Sequence, residues 1–251
     1  MTELLELPAL GVAVTPLTSG ELITALDRAV QARRRFVIGA HNLHSVYLAQ
    51  HDARFAEFAR RCDLSLVDGM PVLLACRAER RHRFTVEHRI GSTDWIPLLA
   101  QAPHVRRIAL VGTTEEANRL AVARLQERCP DAVVIGASGH HWGPERAGQV
   151  ARWLRDSSPD LVLVGLGMPL QEQFLDDFGD LLPPAVYATV GGAIDQLAGT
   201  QRNAPRWLGR IGLEWAWRLA SQPRRLAHRY LVEPFLLVWI LASRRTRVEA
   251  S

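Results

Sequence analysis

Asp68 stands directly after an apolar run of this sequence, at a position where a carboxylate can do chemistry. The stretch "LVDGMP" places Gly69 behind it for an unusual backbone turn and Pro71 at the start of a predicted helix. A partly desolvated carboxylate at the end of a buried strand makes a general base. A helix N-cap explains an Asp at this position equally well. Asp68 is therefore a candidate base, with capping as the structural alternative.

A second stretch, "LVLVGLGMPLQEQF", leads from an apolar run to an amide beside a carboxylate, Gln171 and Glu172. It departs from a dinucleotide-binding fingerprint because Gln171 replaces the third glycine and no acidic residue closes the next strand at the expected spacing. The helix start still offers N–H groups and a positive dipole to a phosphate or a sugar hydroxyl. Gln171 and Glu172 can then hydrogen-bond a polyhydroxy ligand from either side.

The sequence predicts no metal site and no cofactor. His140 and His141 are adjacent, so they would point apart on a strand or helix, and they are not expected to bind one metal together. The Asp-x-Asp motif is also absent, so a nucleotide-sugar enzyme of this sequence would hold the pyrophosphate with arginine or a helix dipole. Arg89 is one candidate, and an ordinary ion pair with Glu87 is the alternative.

The basic residues exclude several kinds of chemistry. All 30 of them are arginine, which rules out a P-loop lysine, a Schiff base and a lysine general base. The 3 cysteines are widely spaced and odd in number, which predicts a reducing cytoplasm rather than a disulfide framework. The N-terminal stretch lacks the features of a signal peptide, and no apolar run approaches the roughly 20 residues of a membrane span.

Short apolar runs alternate with amphipathic segments, which predicts an α/β fold: a Rossmann-like, doubly wound, mostly parallel sheet with helices on both faces. The predicted strands are residues 35–40, 64–68, 107–112, 132–137, 161–167 and 186–192. Apolar residues at helical spacing predict helices at residues 20–34 and 114–128. The second helix begins with a capping box of Thr113 and Glu116.

Ligands bind such sheets outside the carboxyl ends of the strands. The polar residues predicted at those ends are Asn42, Asp68, Thr113, Thr114, Ser138, His140, His141, Gln171, Glu172 and Asp195. Glycines near the ends let the backbone approach a ligand closely, and the candidates are Gly69, Gly112, Gly167 and Gly192. Each polar residue alone could be a turn or a cap, but the set as a whole favours a site.

The C-terminal fifth of the chain differs from the rest. Residues 202–251 hold 10 Arg against 3 Glu, a net charge of +7, whereas residues 1–201 hold 20 Arg against 23 acids, a net charge of −3. The segment also carries four of the seven tryptophans. We predict a core at residues 1–201 and a helical appendage at 202–251 that associates with anionic lipid. A helical pair packed on the core is the structural alternative, and nucleic acid is disfavoured as a partner because no nucleic-acid motif accompanies the arginines.

Several stretches taken in order resemble the WecG/TagA/CpsF glycosyltransferases of bacterial surface-polymer synthesis. They are "LVDGMP", "VGLGMPLQE", "VGGAIDQLAG" and "GLEWAWRL", the last followed by "QPRR" and "RY". The resemblance implies an enzyme that transfers a sugar, with inversion, from a nucleotide-sugar to a polyprenyl-diphosphate-linked sugar at the inner face of the plasma membrane. UDP is the expected nucleotide, and the sugar is an N-acetylhexosamine, its uronic acid or a hexose.

The resemblance also implies roles for individual residues. Asp68 falls on the catalytic base, Arg89 on the arginine near the diphosphate, and Gln171 with Glu172 on the donor-site pair. Asp68, Arg89 and Gln171 are the expected catalytic residues. Asn42 and Asp195 match the asparagine and aspartate of the family's pocket motifs. The basic positions of the appendage, expected to contact the membrane and the lipid-linked acceptor, fall on Arg202, Arg218, Arg225 and Arg229.

This chain departs from the family's pattern at three positions, and two other functions compete with the resemblance. Ala40 replaces a threonine, Ser92 replaces a glycine, and Asn203 replaces an arginine whose role Arg202 could take over. These changes bear on the choice of donor.

A non-catalytic Rossmann-like module that binds a nucleotide or assembles a membrane complex is the rival function. A dehydrogenase or epimerase is weakened by the poor glycine fingerprint and the absence of lysine. Self-association stays open.

Overall fold

The computed structural model describes residues 4–80, 84–201, 216, 217, 219, 231–233, 235 and 236. Its main element is a six-stranded sheet in which every neighbouring pair is parallel. A separate antiparallel pair precedes it along the chain. The strands are β1 (Leu5–Leu7), β2 (Val12–Val14), β3 (Phe36–His41), β4 (Leu64–Val67), β5 (Arg107–Gly112), β6 (Val133–Ala137), β7 (Leu161–Gly165) and β8 (Val186–Thr189). The order in the large sheet is β4-β3-β8-β7-β5-β6.

The strands of the sheet follow from their composition. Along β7, Leu161 and Leu163 face one apolar layer while Val162 and Val164 face the other, and all four are fully buried. A strand covered on both faces needs an apolar residue at every position, so the continuous runs predict these strands correctly. The edge strand β6 is the partial exception, because Val133 there is 53% exposed.

Helices cover both faces of the sheet, so the predicted Rossmann-like α/β class is confirmed. The α-helices between residues 4 and 201, within the described ranges, are α1 (Ser19–Gln31), α2 (Leu43–His51), α3 (Ala53–Arg60), α4 (Met70–Arg80), α5 (Ser92–Trp95), α6 (Glu115–Arg128), α7 (Pro144–Ser157), α8 (Leu170–Asp177) and α9 (Ala193–Ala198). Side chains of α1, α6 and α9 fill the layer on one face, and those of α3, α7 and α8 fill the layer on the other. Two 3-10 helices, Val86–His88 and Ile96–Gln101, flank α5.

Three strands end earlier than predicted: β4 by one residue, and two others by more. The run expected at 161–167 ends at Gly165, and the run expected at 186–192 ends at Thr189. Gly167 (φ 78°) and Gly191 (φ 51°) then turn the backbone through the left-handed region, which a strand does not enter. These turns begin the loops at the carboxyl edge of the sheet.

The predicted cap of α6 was wrong by one residue. Thr114, not Thr113, is the N-cap, and its hydroxyl accepts from the N–H of Ala117 at 3.2 Å. Thr113 instead has φ 57°, and its hydroxyl donates to the carboxylate of Asp195. A contact with a residue 82 positions away therefore decides the role of Thr113.

The hairpin of β1 and β2 was not predicted, because strands of 3 residues carry too little periodicity. It joins the core through Thr15, whose N–H donates to Ser65 O at 2.8 Å and whose hydroxyl accepts from Ser65 N at 3.0 Å. The expected boundary between core and appendage stays a prediction, since residues 202–215 lie outside the described ranges.

Candidate active site

Asn42 and Asp68 meet at the carboxyl ends of the neighbouring strands β3 and β4. The Asn42 side-chain N–H donates to Asp68 Oδ2 at 3.3 Å, while its oxygen accepts from the Ser45 N–H at 3.1 Å and caps α2. The Asp68 N–H donates to the carbonyl of His41 at 2.8 Å. Both side chains are only partly buried. The pair therefore holds a carboxylate in one orientation, accessible at the edge of the sheet.

His41 lies buried beneath this pair as a neutral side chain. Its Nδ1 is 3.3 Å from the hydroxyl of Ser45, and burial lowers its pKa to about 4. A neutral imidazole contributes no positive charge of its own to Asp68. His41 therefore supports the end of β3 rather than neutralising the carboxylate.

The chain around Arg89 runs alongside the end of β4. Arg89 forms a parallel bridge with Val67, and the N–H of the buried Ile90 donates to Val67 O at 2.8 Å. A Cβ placed on Gly91 would lie 3.2 Å from Asp68 Oδ1, so this segment passes directly beside the carboxylate. The ion pair between Arg89 and Glu87 that the sequence left open does not form in the described part of the chain.

Gln171 and Glu172 are the most buried polar residues of the predicted site. Gln171 is 0% exposed and Glu172 is 4% exposed. The Gln171 amide donates to Glu172 Oε1 at 2.8 Å, and its oxygen accepts from the N–H of Gly191 at 3.1 Å. Direct contact between these side chains and a donor sugar stays a prediction, and the present hydrogen bonds favour an indirect role.

Burial dominates the titration of Glu172 and raises its pKa to about 7, although the hydrogen bond from Gln171 opposes that shift. Its Oε2 atom is buried without a hydrogen-bond partner among the described residues. A carboxyl group in such a place exchanges its proton near neutral pH.

A cleft of about 690 Å³ opens at the carboxyl edge of the sheet, among the loops that follow β5, β6, β7 and β8. The predicted residues that line it are Thr113, Thr114, His140, His141, Gly167, Gly192 and Asp195. The candidates that do not line it are Asn42, Asp68, Gly69, Arg89, Gly112, Ser138, Gln171 and Glu172. The structure thus separates the expected site into a cleft and the neighbouring group of Asn42, Asp68 and Arg89.

Glycines shape this edge of the sheet in two ways. Gly112 has φ 129°, and a Cβ there would lie 2.3 Å from the carbonyl oxygen of Gly165, so it lets β5 and β7 approach each other. Gly69, with φ 99°, turns the chain out of β4 behind Asp68. Both have a structural reason that is independent of a ligand, and their role in donor binding stays a prediction.

Several residues of the cleft were missed by sequence reasoning. His44 lies 2 positions after Asn42 on the first turn of α2, and its place after a strand end was the available signal. Its Nδ1 lies 2.6 Å from Glu233 Oε2, which brings a described part of the C-terminal segment to the cleft. No signal in the sequence links residues 189 positions apart. Trp142, Met168 and Leu170 add apolar surface.

The four appendage arginines, Arg202, Arg218, Arg225 and Arg229, lie outside the described residues, as does Asn203. Within the described ranges, none of the helices has the length and apolar content that crossing a bilayer requires. The same ranges hold no group of three or more His, Cys, Asp or Glu side chains suited to a metal ion.

A parallel sheet with a polar cleft at its carboxyl edge defines an α/β protein of the ligand-binding, Rossmann-like class. The profile of the glycosyl transferase WecG/TagA/CpsF family matches residues 7–250 of the chain. This protein therefore belongs to the WecG/TagA/CpsF family and is a glycosyltransferase, which confirms the resemblance seen in its sequence. A relative from Bacillus subtilis (strain 168) is 28% identical over 191 residues, which cover 75% of this chain and 73% of the relative. That relative is an N-acetylglucosaminyldiphosphoundecaprenol N-acetyl-beta-D-mannosaminyltransferase.

Proposed function

We propose that this glycosyltransferase moves a sugar, with inversion, from a nucleotide-sugar to a saccharide linked to polyprenyl diphosphate. The observation that carries the proposal is the oriented carboxylate of Asp68 at the strand end, held by Asn42 and flanked by the segment of Arg89. The name of the Bacillus subtilis relative supports an N-acetylhexosamine as the sugar and a lipid-diphosphate-linked N-acetylglucosamine as the acceptor. A UDP-linked donor is the first choice to test.

The reaction is a single displacement in which Asp68 is the general base. Its carboxylate takes the proton of the acceptor hydroxyl as that oxygen attacks the anomeric carbon, and the bond to the nucleoside diphosphate breaks on the opposite side. Asn42 keeps the Asp68 carboxylate turned toward the acceptor through its amide N–H. The guanidinium of Arg89, from the segment that passes Asp68, stabilises the charge on the departing diphosphate.

The cleft takes the nucleoside diphosphate part of the donor. Its walls include loop backbone at Gly167 and Gly192 and the carboxylate of Asp195, which is fixed by the hydroxyl of Thr113. Glycines at strand ends let a ligand approach main-chain N–H groups closely. The basic appendage would bind the membrane surface, and the lipid-linked acceptor would reach Asp68 from that surface. The enzyme would then work as a peripheral protein on the inner face of the plasma membrane.

The first test is a transfer assay with a panel of nucleotide-sugars and a short-chain lipid-diphosphate–N-acetylglucosamine acceptor, in the presence of EDTA. Asp68→Asn should lower turnover by about two to four orders of magnitude, because it removes the base while preserving the shape of the side chain. Asp131→Asn is the matched control, since Asp131 is an exposed carboxylate away from the cleft. Unfolding curves should coincide for all three proteins. Near-normal turnover by Asp68→Asn would refute the base assignment.

A further inference from the structure

Gln171 connects two loops that line the cleft. Its backbone N–H donates to the carbonyl of Gly167 at 3.0 Å, which ties it to the loop after β7. Its side-chain oxygen accepts from the N–H of Gly191 at 3.1 Å, in the loop after β8. Gly167, Gly191 and Gly192 line the cleft, whereas Gln171 itself is fully buried behind them. The side chain therefore acts on the cleft surface from beneath.

The loop after β8 has a conformation that needs such support. Gly191 has φ 51°, in the left-handed region, and its carbonyl packs so closely on β7 that a Cβ on Gly165 would lie 2.7 Å from it. Two nearby N–H groups have backbone partners: Val190 donates to Val164 O at 2.8 Å, and Ala193 donates to Val190 O at 3.1 Å. The N–H of Gly191 depends on the amide of Gln171.

Glu172 fixes the orientation of that amide. The Gln171 Nε2 group donates to Glu172 Oε1 at 2.8 Å, which leaves the amide oxygen facing Gly191. The amide of Gln171 offers a donor to Glu172 and an acceptor to Gly191 at the same time. A carboxylate at position 171 would supply the acceptor alone and would stand beside a second carboxylate. These two hydrogen bonds account for a glutamine at position 171 without any contact between its side chain and a ligand.

We propose that Glu172 and Gln171 form a buried relay that positions the Gly191–Gly192 loop for the nucleoside diphosphate of the donor. Gln171 and Glu172 are therefore positioning residues, and they act on the nucleotide part of the donor rather than on its sugar. The proposal rests on the proposed function for the identity of the ligand. The hydrogen-bonded relay itself rests on the geometry of the described residues.

Two ligands separate positioning from direct contact. Binding of UDP and of UDP-N-acetylhexosamine is measured by calorimetry for wild type, Gln171→Ala and Gln171→Glu. A relay predicts that both variants weaken both ligands by the same factor, about tenfold or more, because the loop is displaced in either complex. Direct contact with the sugar predicts that only the sugar nucleotide weakens, and that outcome would overturn the proposal.

Matched variants on the same helix complete the binding test. Gln173→Ala removes a neighbouring amide that does not line the cleft, and it should leave both affinities within about twofold. Glu172→Gln keeps an oxygen acceptor for Gln171, so it should lose much less affinity than Glu172→Ala, which removes the acceptor. Equal losses for the two Glu172 variants would contradict the orienting role of the Glu172 oxygen.

Hydrogen exchange tests the relay without a ligand. In Gln171→Ala the amide of Gly191 should exchange about fivefold to tenfold faster, seen by mass spectrometry in peptides that cover residues 186–198, while Gln173→Ala leaves those peptides unchanged. Unaltered exchange in Gln171→Ala would disprove the relay. If exchange responds as expected but wild type binds neither ligand, the proposed function fails and the relay stands.

Discussion

At the scale of single residues, burial determines the pKa of the Glu172 carboxyl group. Its carboxyl group is almost completely enclosed, one oxygen accepts from Gln171, and the other has no partner within the described chain. Burial penalises the charged form and raises the pKa to about 7 from an ordinary value of 4.5. The group therefore changes charge at a pH where the enzyme would work.

This shift predicts a specific pH dependence of stability. Between about pH 4.5 and pH 7 the unfolded chain has lost the Glu172 proton while the folded protein keeps it, so stability falls as pH rises through that window. Glu172→Gln removes this penalty. The free energy of unfolding of the variant, relative to wild type, should rise by about 2–3 kcal/mol between pH 4.5 and pH 8 in urea titrations.

A comparison between variants isolates Glu172 from other titrating groups. The buried His41 acts in the opposite direction, because its pKa is lowered to about 4 and protonation at low pH destabilises the fold. Its effect is common to wild type and variant and cancels in the difference. Glu127→Gln, at an exposed position of α6, serves as the control. A difference between Glu172→Gln and wild type that does not change with pH would contradict the assignment.

At the scale of elements, close packing of β7 against the loop after β8 shapes the cleft. A Cβ on Gly165 would lie 2.6 Å from the Cδ1 atom of Ile194 and 2.7 Å from Gly191 O. Both distances are shorter than real carbon contacts allow, so the loop or α9 would have to move. The glycine at the end of β7 is therefore required for the position of the Gly191–Gly192 loop.

Gly165→Ala should cost about 1–3 kcal/mol of stability, measured in urea, and should also lower donor affinity because the loop is pushed outward. Gly20→Ala is the matched control: a Cβ placed on this helical residue would have no heavy atom within 4 Å outside its own helix and chain neighbours. It should be neutral or stabilising by up to about 1 kcal/mol. A Gly165→Ala protein with wild-type stability and affinity would show that the loop is not held against β7.

At the scale of the whole molecule, charge divides the chain into an acidic core and a basic C-terminal segment. Residues 1–201 carry a net charge of −3 and residues 202–251 a net charge of +7, with four of the seven tryptophans in the basic part. Clustered arginine and tryptophan favour a surface of anionic lipid headgroups. The described fragment of this segment meets the core where Glu233 pairs with His44 at the cleft.

Replacing Arg218, Arg225 and Arg229 together by Glu should abolish binding to vesicles that contain anionic lipid, in a flotation assay at about 0.1 M salt. Changing Arg60, Arg106 and Arg128 to Glu alters the net charge by the same amount at exposed positions of the core and should leave binding largely intact. Equal losses in the two triple variants would show that net charge alone drives association. Unchanged binding by the variant at Arg218, Arg225 and Arg229 would show that these arginines do not bind lipid and would favour a structural role for the segment.

The sequence by itself determined the sheet and the edge of the sheet at which we expect the site. Strands such as β7 are buried on both faces, and a continuous apolar run has few other places in a folded chain. Asp68 and Asn42 could be placed together because the carboxyl ends of neighbouring parallel strands share one edge. The family followed from the ordered motifs, since their residue types and spacing are local properties of the chain.

Only the tertiary structure decided what individual polar side chains do. Thr113 bonds to Asp195 instead of capping α6, and Gln171 supports Gly191, 20 positions away, instead of facing the cleft. His44 meets Glu233 from the other end of the chain. Local sequence specifies which groups can hydrogen-bond, but the partner of a buried group is whichever complementary atom the packed elements bring within about 3 Å of it.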